Sequence, residues 1–401
     1  MKAWDVAFAA GEEISLACKN KEILKLYYAE GIIKAELYCE KNADPLCLSA
    51  PAKRGENAIF RLRPARAELI VSEKLLDENW PWGTPDISGA EIRGAAKLMP
   101  SPDEELLPSV TDTFCGAEGW RPTDFGAVFV GDCMPYADGG RYHVLWLWDR
   151  RHHKSKWCRG AHQWAHISTD DLEHWQVHPM AVPITEDWEG SICTGSHIRH
   201  GDIQYLFYTV RTMDGSPAPL RRSVSTDGYH FEKDPGFSVT LSERYHGASA
   251  RDPKVVRDAD GRFHMFVTTS LMPEDRGCLA HLVSEDLDSW REIEPVYVAP
   301  EGEDQPECSD YFIAGGRHYL ILSHHGKGQY FYSREPFGPW MRAEDNSIPC
   351  RSVPKMAYFK DRIIFTGFSG MDGYAGTMTF TEAFPQADGT LKFKPLFKGE
   401  E

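Results

Sequence analysis

The sequence predicts an all-β protein, a five-bladed β-propeller preceded by an antiparallel β-sandwich. Three observations carry that reading. An apolar hairpin recurs five times after residue 115, as GGRYHVLWLW at 139–148, HGDIQYLFYTV at 200–210, DGRFHMFVTT at 260–269, GGRHYLILSH at 315–324 and FKDRIIFTGF at 359–368. A second strand type, marked by Ser-x-Asp and an aromatic, follows four of the copies: ISTDDLEHW at 167–175, SVSTDGYHFE at 223–232, LVSEDLDSW at 282–290 and YSREPFGPW at 332–340. The segments are short, rich in β-branched and aromatic residues and bounded by Gly, Asp and Pro, with almost no helical periodicity.

Copies spaced by roughly 45–60 residues match the repeat length of propeller blades. Asp-Gly and Gly-Gly between alternating apolar residues are strong hairpin signals. The strand preceding each hairpin is then the first of its blade, the one that lines a propeller's central channel. These five strands read VGDCMPY, ICTGSHI, ARDPKVV, PECSDYF and RSVPKMA. Residues 113–401 form the propeller in this reading, and 1–112 form a separate domain of alternating strands (EEISLAC, ILKLYYAE, IIKAELYC, NAIFRLRP, AELIVSE). The polar, Pro-rich stretch KLMPSPDEELLPS is the expected linker. Nothing in the first domain singles out a site, so packing and solubility are its expected role. The blade-end tryptophans Trp175, Trp290 and Trp340 are expected to fill space between blades.

Three of the channel strands carry an acid at what reads as one fixed offset: Asp132, Asp252 and Glu307. A lone Asp at a strand end commonly caps a turn. Three in register, each interrupting an apolar strand, instead point at a common centre. Glycoside hydrolysis needs two carboxyl groups flanking the scissile bond, one ionised and one protonated. Arg251 is expected to keep neighbouring Asp252 ionised and holding sugar hydroxyls, through its planar fork of donors. Glu307, with its longer reach and apolar flank, suits a general acid. Asp132 is left as the nucleophile.

These residues resemble glycoside hydrolase family 32, the β-fructofuranosidases that include invertases, inulinases and levanases. ARDPKV at 250–255 looks like the family's Arg-Asp-Pro motif and PECSDYF at 306–312 like its Glu-Cys motif. WAHISTDDLEHW, CTGS at 193–196 and the tail MTFTEAFPQADGTLKFKP resemble further family segments, so the likeness spans about 115–397. The resemblance implies a nucleophile at Asp132, a transition-state stabiliser at Asp252 with Arg251, and an acid/base at Glu307. It also implies release of terminal β-fructofuranosyl units with retention, through a covalent fructosyl-enzyme, with working carboxyls about 5–5.5 Å apart. Two departures stand out. The family's usual Trp-Met-Asn-Asp-Pro is here Phe129-Val130-Gly131-Asp132-Cys133, without the Asn that would touch the sugar. The extra domain also precedes the propeller instead of following it.

Other residues are weaker candidates. The stretch 148–166 is dense in His, Arg and Trp, and either contacts the leaving group through Asp149, Arg150, His152 and Trp164 or packs as a solvated loop. Thr194 stands in the second channel strand; Trp188 and Glu189 just before it either line the pocket wall or pack between blades. Tyr245 and His246 are placed to reach the site from a loop. His162 and His166 are spaced i,i+4 like metal ligands on a helix, but no Glu lies between them and the context is strand and loop, so no metal or cofactor is expected. A net charge of −16 argues against nucleic acid or an anionic membrane as partner. Ten scattered cysteines without a CxxC pair, and a poor signal sequence at MKAWDVAFAAGEEISL, point to a cytoplasmic protein. A small carbohydrate is the expected ligand. Two alternatives stay open: an inverting arabinosidase or xylosidase of the propeller type, and a non-catalytic carbohydrate-binding propeller.

Overall fold

The computed structural model describes residues 3–11, 13–102, 119–122, 128–150, 162–371 and 373–396. Strands make up the described secondary structure apart from one 3-10 turn at Gly247–Ser249. No helix among the described residues is long and apolar enough to cross a membrane. The chain divides into two compact units: Met1–Thr111 with Thr123–Gly126 and Ile184–Gly190, and Asp112–Pro122 with Ala127–Pro183 and Ser191–Glu401.

The first unit holds two five-stranded sheets. One runs in the order Ala96–Pro100, Trp4–Ala9, Asn57–Arg63, Arg66–Val71, Lys74–Asn79; the other runs Leu46–Pro51, Ile32–Leu37, Lys21–Ala29, Ile14–Cys18, Glu91–Arg93. Period-two alternation builds the core: in Ile32–Leu37, the side chains of Ile33, Ala35 and Leu37 are buried while Ile32 and Lys34 face out. Val6, Phe60 and Leu69 of the first sheet share one core with Leu24, Ile33 and Leu48 of the second. The first sheet buries charge as well. Asp5, Arg61, Glu68 and Glu78 stand opposite one another across four strands. Arg61 donates to both oxygens of Asp5 at 2.8 and 2.9 Å, and Arg66 bridges Glu68 (3.0 Å) and Glu78 (2.9 Å).

In the second unit the strands pair in chain order as successive four-stranded meanders. The first comprises Val128–Asp138, Arg141–Arg150, Gln163–Thr169 and Gln176–Val182. The second comprises Glu189–His200, Ile203–Thr212, Leu220–Ser225 and Glu232–Lys233; the third, Arg251–Arg257, Phe263–Leu271, Arg276–Ser284 and Arg291–Val298. Glu307–Ala314, Arg317–His324 and Lys327–Ser333 open the fourth, and the long strand Met341–Phe359 closes it. That same strand begins the fifth, followed by Arg362–Gly370, Gly376–Pro385 and Leu391–Pro395.

The repeated Ser-x-Asp signature is a turn. Ser284 Oγ accepts the backbone N–H groups of Asp286 and Leu287, and Asp286 Oδ1 accepts those of Asp288 and Ser289. Ser225 with Asp227 repeats the pattern, and in the first meander the pair is Thr169 with Asp171. A side chain supplying the acceptors the backbone needs explains why this pattern ends those strands. Trp175, Trp290 and Trp340 reach other meanders. Trp290 meets Phe207 edge-on at 5.9 Å, Trp340 Nε1 donates to Val296 O, and Trp175 stacks on Phe380 at 5.4 Å. The last contact and the Val130–Gly376 pairing tie the first meander to the fifth.

Candidate active site

The first strands of four meanders carry a bulge. Pairing skips between Val130 and Cys133, Arg251 and Lys254, Glu307 and Asp310, and Ser352 and Lys355, so that two residues oppose one on the next strand. The first bulge residue has positive φ at Asp252 (56°), Cys308 (51°) and Val353 (40°), a conformation that non-glycine residues hold only under constraint. The bulges correct one sequence expectation: the three acids do not share one position of the repeat. Asp132 is the second residue of its bulge, Asp252 is the first, and Glu307 directly precedes its own. Their side chains converge because each leaves the strand at a different step of the same kink.

All three line a cavity of about 320 Å³, together with Thr194, Arg211, Arg251, Cys308, His325 and Tyr374 among others. That is the small end of the range for ligand sites. Asp132 is held at both oxygens: Oδ1 accepts from Tyr374 Oη (2.8 Å), and Oδ2 accepts from Thr194 Oγ1 (2.7 Å) and from the Cys308 thiol (3.2 Å). Asp252 Oδ2 accepts the Cys308 N–H at 3.0 Å and lies 3.7 Å from Arg251 Nε. Burial pushes the Asp252 carboxyl above its usual range, against the pull of Arg251 and with a further push from Glu307 and Asp132. Burial also raises the Cys308 thiol well above its ordinary value, so it keeps its proton and acts as a donor between the two aspartates.

Glu307 is not set off by apolar neighbours alone, because Oε1 accepts from Arg251 Nη2 at 3.0 Å. Arg251 thus serves two acids instead of Asp252 only. Its own fork is fixed from behind by Ser249 O and Gln305 Oε1. Arg211, almost fully buried, donates to Ala248 O and Ser249 O, and burial lowers its basicity. Lys355, also buried, donates to Gly195 O (3.2 Å) and Ser309 O (3.1 Å), which links the second, fourth and fifth meanders.

The other sequence candidates are placed as follows. Thr194 is in the cavity, on Asp132. Asp149 and Arg150 are buried at the end of Arg141–Arg150, Arg150 over the Trp148 ring, and Trp164 is buried with Nε1 donating to Cys193 O at 2.9 Å. None of these three is among the cavity-lining residues, since both faces of their strands are covered. Trp188 is 38% exposed and Glu189 caps its own turn through Thr185 N–H and Glu186 N–H. Tyr245 is buried in an apolar cluster. His246 pairs with Asp275 at 3.9 Å. His152 lies outside the described residues. His162 lines the cavity, while His166 bonds His143 in the interior (3.0 Å). Sequence reasoning missed Tyr374, Arg211, Cys308 as a donor and His325. Only Cys308 had a local signal, being the second residue of the Glu-Cys pair.

Known proteins resemble this chain at the level of family and fold. The model of the glycosyl hydrolases family 32 N-terminal domain matches residues 134–340, a span that includes Asp252 and Glu307 and starts just after Asp132. Sucrose-6-phosphate hydrolase of Escherichia coli is 27% identical over 70% of this chain and 63% of its own length. The enzyme of the same name from Bacillus subtilis is 33% identical over 47% of this chain and 39% of its own length. The chain therefore spans less than two thirds of these curated relatives. Among solved structures, fructan 1-exohydrolase IIa from Cichorium intybus superimposes with a TM-score of 0.58 at 17% identity, covering 71% of this chain and 61% of that one, and shares the fold. With the family model matching over half its length, this chain belongs to glycosyl hydrolases family 32.

Proposed function

We propose that this protein is a retaining β-fructofuranosidase that releases terminal fructosyl units from sucrose-like substrates without metal or cofactor. The observation that carries the reading is the convergence of Asp132, Asp252 and Glu307 on one small cavity with three different sets of partners. Asp132, with both oxygens oriented by donors, attacks the anomeric carbon of the fructosyl unit. Glu307 protonates the glycosidic oxygen, and the rest of the substrate departs. Glu307 then takes a proton from water as that water attacks the fructosyl–Asp132 ester, which frees fructose and restores both carboxyls. Asp252 binds ring hydroxyls; a carboxyl raised by burial can serve them as donor or acceptor.

The five meanders are read as five blades of a propeller around this cavity, and residues 1–112 as an accessory β-sandwich. Relatives named sucrose-6-phosphate hydrolases, and a cavity wall that includes Arg211, His162 and His325, make sucrose 6-phosphate the first substrate to compare with sucrose. The test is fructose release from sucrose, sucrose 6-phosphate and 1-kestose, with the first-formed anomer followed by NMR. The expected result is retention, and Asp132→Ala should lower kcat by about 10⁴-fold or more. First-formed product of inverted configuration would favour a pentosidase-type mechanism, and full activity of the alanine variant would remove Asp132 as nucleophile.

A further inference from the structure

The nucleophile's setting contains one contact between distant parts of the chain that its own strand does not explain. Tyr374 lies in the turn between Arg362–Gly370 and Gly376–Pro385, and its hydroxyl makes two bonds to one residue. It donates to Asp132 Oδ1 at 2.8 Å and accepts the Asp132 backbone N–H at 3.1 Å. The ring is held on two sides, by Phe368 edge-on at 5.2 Å and by His162 at 5.1 Å. Burial first, and then the charge of Asp132, push the hydroxyl well above its ordinary value, so it retains the proton it donates.

The room for that hydroxyl comes from Gly131. A Cβ there would stand 2.6 Å from Tyr374 Oη and 3.1 Å from Leu147 Cβ, the first closer than any real contact. Gly131 is not in the positive-φ region, so its backbone does not call for glycine. Space does. The sequence departure at this position and the tyrosine two hundred residues on are therefore two halves of one arrangement.

We propose that Tyr374 is a positioning residue for the nucleophile, and that residue 131 is glycine in order to admit its hydroxyl. The proposal rests on the reading of Asp132 as nucleophile. Tyr374 and Thr194 fix the two carboxylate oxygens from different meanders, the fifth and the second, and the N–H bond ties the tyrosine to the Asp132 backbone, so the carboxylate cannot rotate away from the substrate. Titratable groups near Asp132 among the described residues include Tyr374 and Cys308 in direct contact, Asp252, which shares the Cys308 thiol, the neighbouring Cys133, and Glu307 and Arg251 in the same cavity wall; His162 packs on the Tyr374 ring.

The experiment uses the full chain, with the best substrate among sucrose, sucrose 6-phosphate and 1-kestose, in four variants: Tyr374→Phe, Gly131→Ala, the two combined, and Asp132→Ala. Losing a hydrogen bond to a charged group should cost Tyr374→Phe about 10- to 100-fold in kcat, with KM nearly unchanged. The acid limb of its pH–rate profile should move up, because a carboxylate that loses a donor takes up a proton more readily. Gly131→Ala, which pushes the same hydroxyl aside, should show the same signature, and the double variant should be no worse than the poorer single one. Near-UV circular dichroism of each variant checks that the fold is kept. Wild-type kcat and acid limb in Tyr374→Phe, or multiplying losses in the double variant, would overturn the proposal while Asp132→Ala stays inactive. An active Asp132→Ala would instead overturn the underlying reading.

Discussion

At the scale of single residues, the site works by giving three like groups unlike company. Asp132 is met by hydroxyls and a thiol, Asp252 by burial and a backbone N–H, and Glu307 by a guanidinium at a less enclosed position. The role assigned to Glu307 can be tested through the leaving group. Glu307→Ala should lower kcat/KM for sucrose by about 10²–10⁴-fold and hardly lower it for an aryl fructoside whose phenolate leaves unprotonated; equal losses of kcat/KM on both would reassign the acid. The three acids, Arg251 and Thr194 were legible because each sits in a short pattern on its own strand. Tyr374 was not, because its partner is 242 positions away and only the folded chain relates them. Asp149, Arg150 and Trp164 misled for a different reason. Polar side chains usually mark an exposed segment, but these strands are covered on both faces.

At the scale of elements, hairpins and Ser-x-Asp turns could be read from sequence because their chemistry is local: a glycine for the turn, an oxygen for the backbone N–H. The bulges could not. An extra residue in a ladder leaves no mark in composition, and here it moved three acids that seemed equivalent onto three different steps. The charged row across the first unit's sheet was equally hidden, since NAIFRLRP and AELIVSE read as ordinary alternating strands. Burying Asp5, Arg61, Glu68 and Glu78 is tolerable only while each has its partner. Arg61→Ala should therefore cost about 3–5 kcal/mol, seen as a lower urea midpoint for unfolding, because it strands Asp5 without its two bonds. A change under 1 kcal/mol would mean that water reaches the row.

At the scale of the molecule, histidine burial adds to the fall of stability on the acid side. Burial pushes His143, His178 and His197 down to about 4 and His281 to about 3. In the unfolded chain each titrates near 6.5, so between about 6.5 and 4 the unfolded state binds more protons than the folded one. Stability is therefore complete above that window and falls as pH drops through it, by about 1.4 kcal/mol per pH unit for each proton taken up. Urea midpoints measured from pH 7.5 to 4.5 should be level at first and then decline, and His143→Phe should make the decline shallower. A flat profile would show that these rings stay wet. Two His–His hydrogen bonds among the described residues, His143 with His166 and His264 with His281, fall at matching places in the first and third meanders, a product of the repeat.

The pairing of Val130 with Gly376 and the reach of Tyr374 to Asp132 also have a meaning in time. Asp132 belongs to the strand Val128–Asp138, and Tyr374 to the turn that leads into Gly376–Pro385. While the chain is being synthesised, Asp132 emerges some 240 residues before the hydroxyl that completes it. On the proposed reading of Asp132, its carboxylate is fully oriented only once the hairpin carrying Tyr374 has folded, so the last rise to full turnover would report that this hairpin is in place.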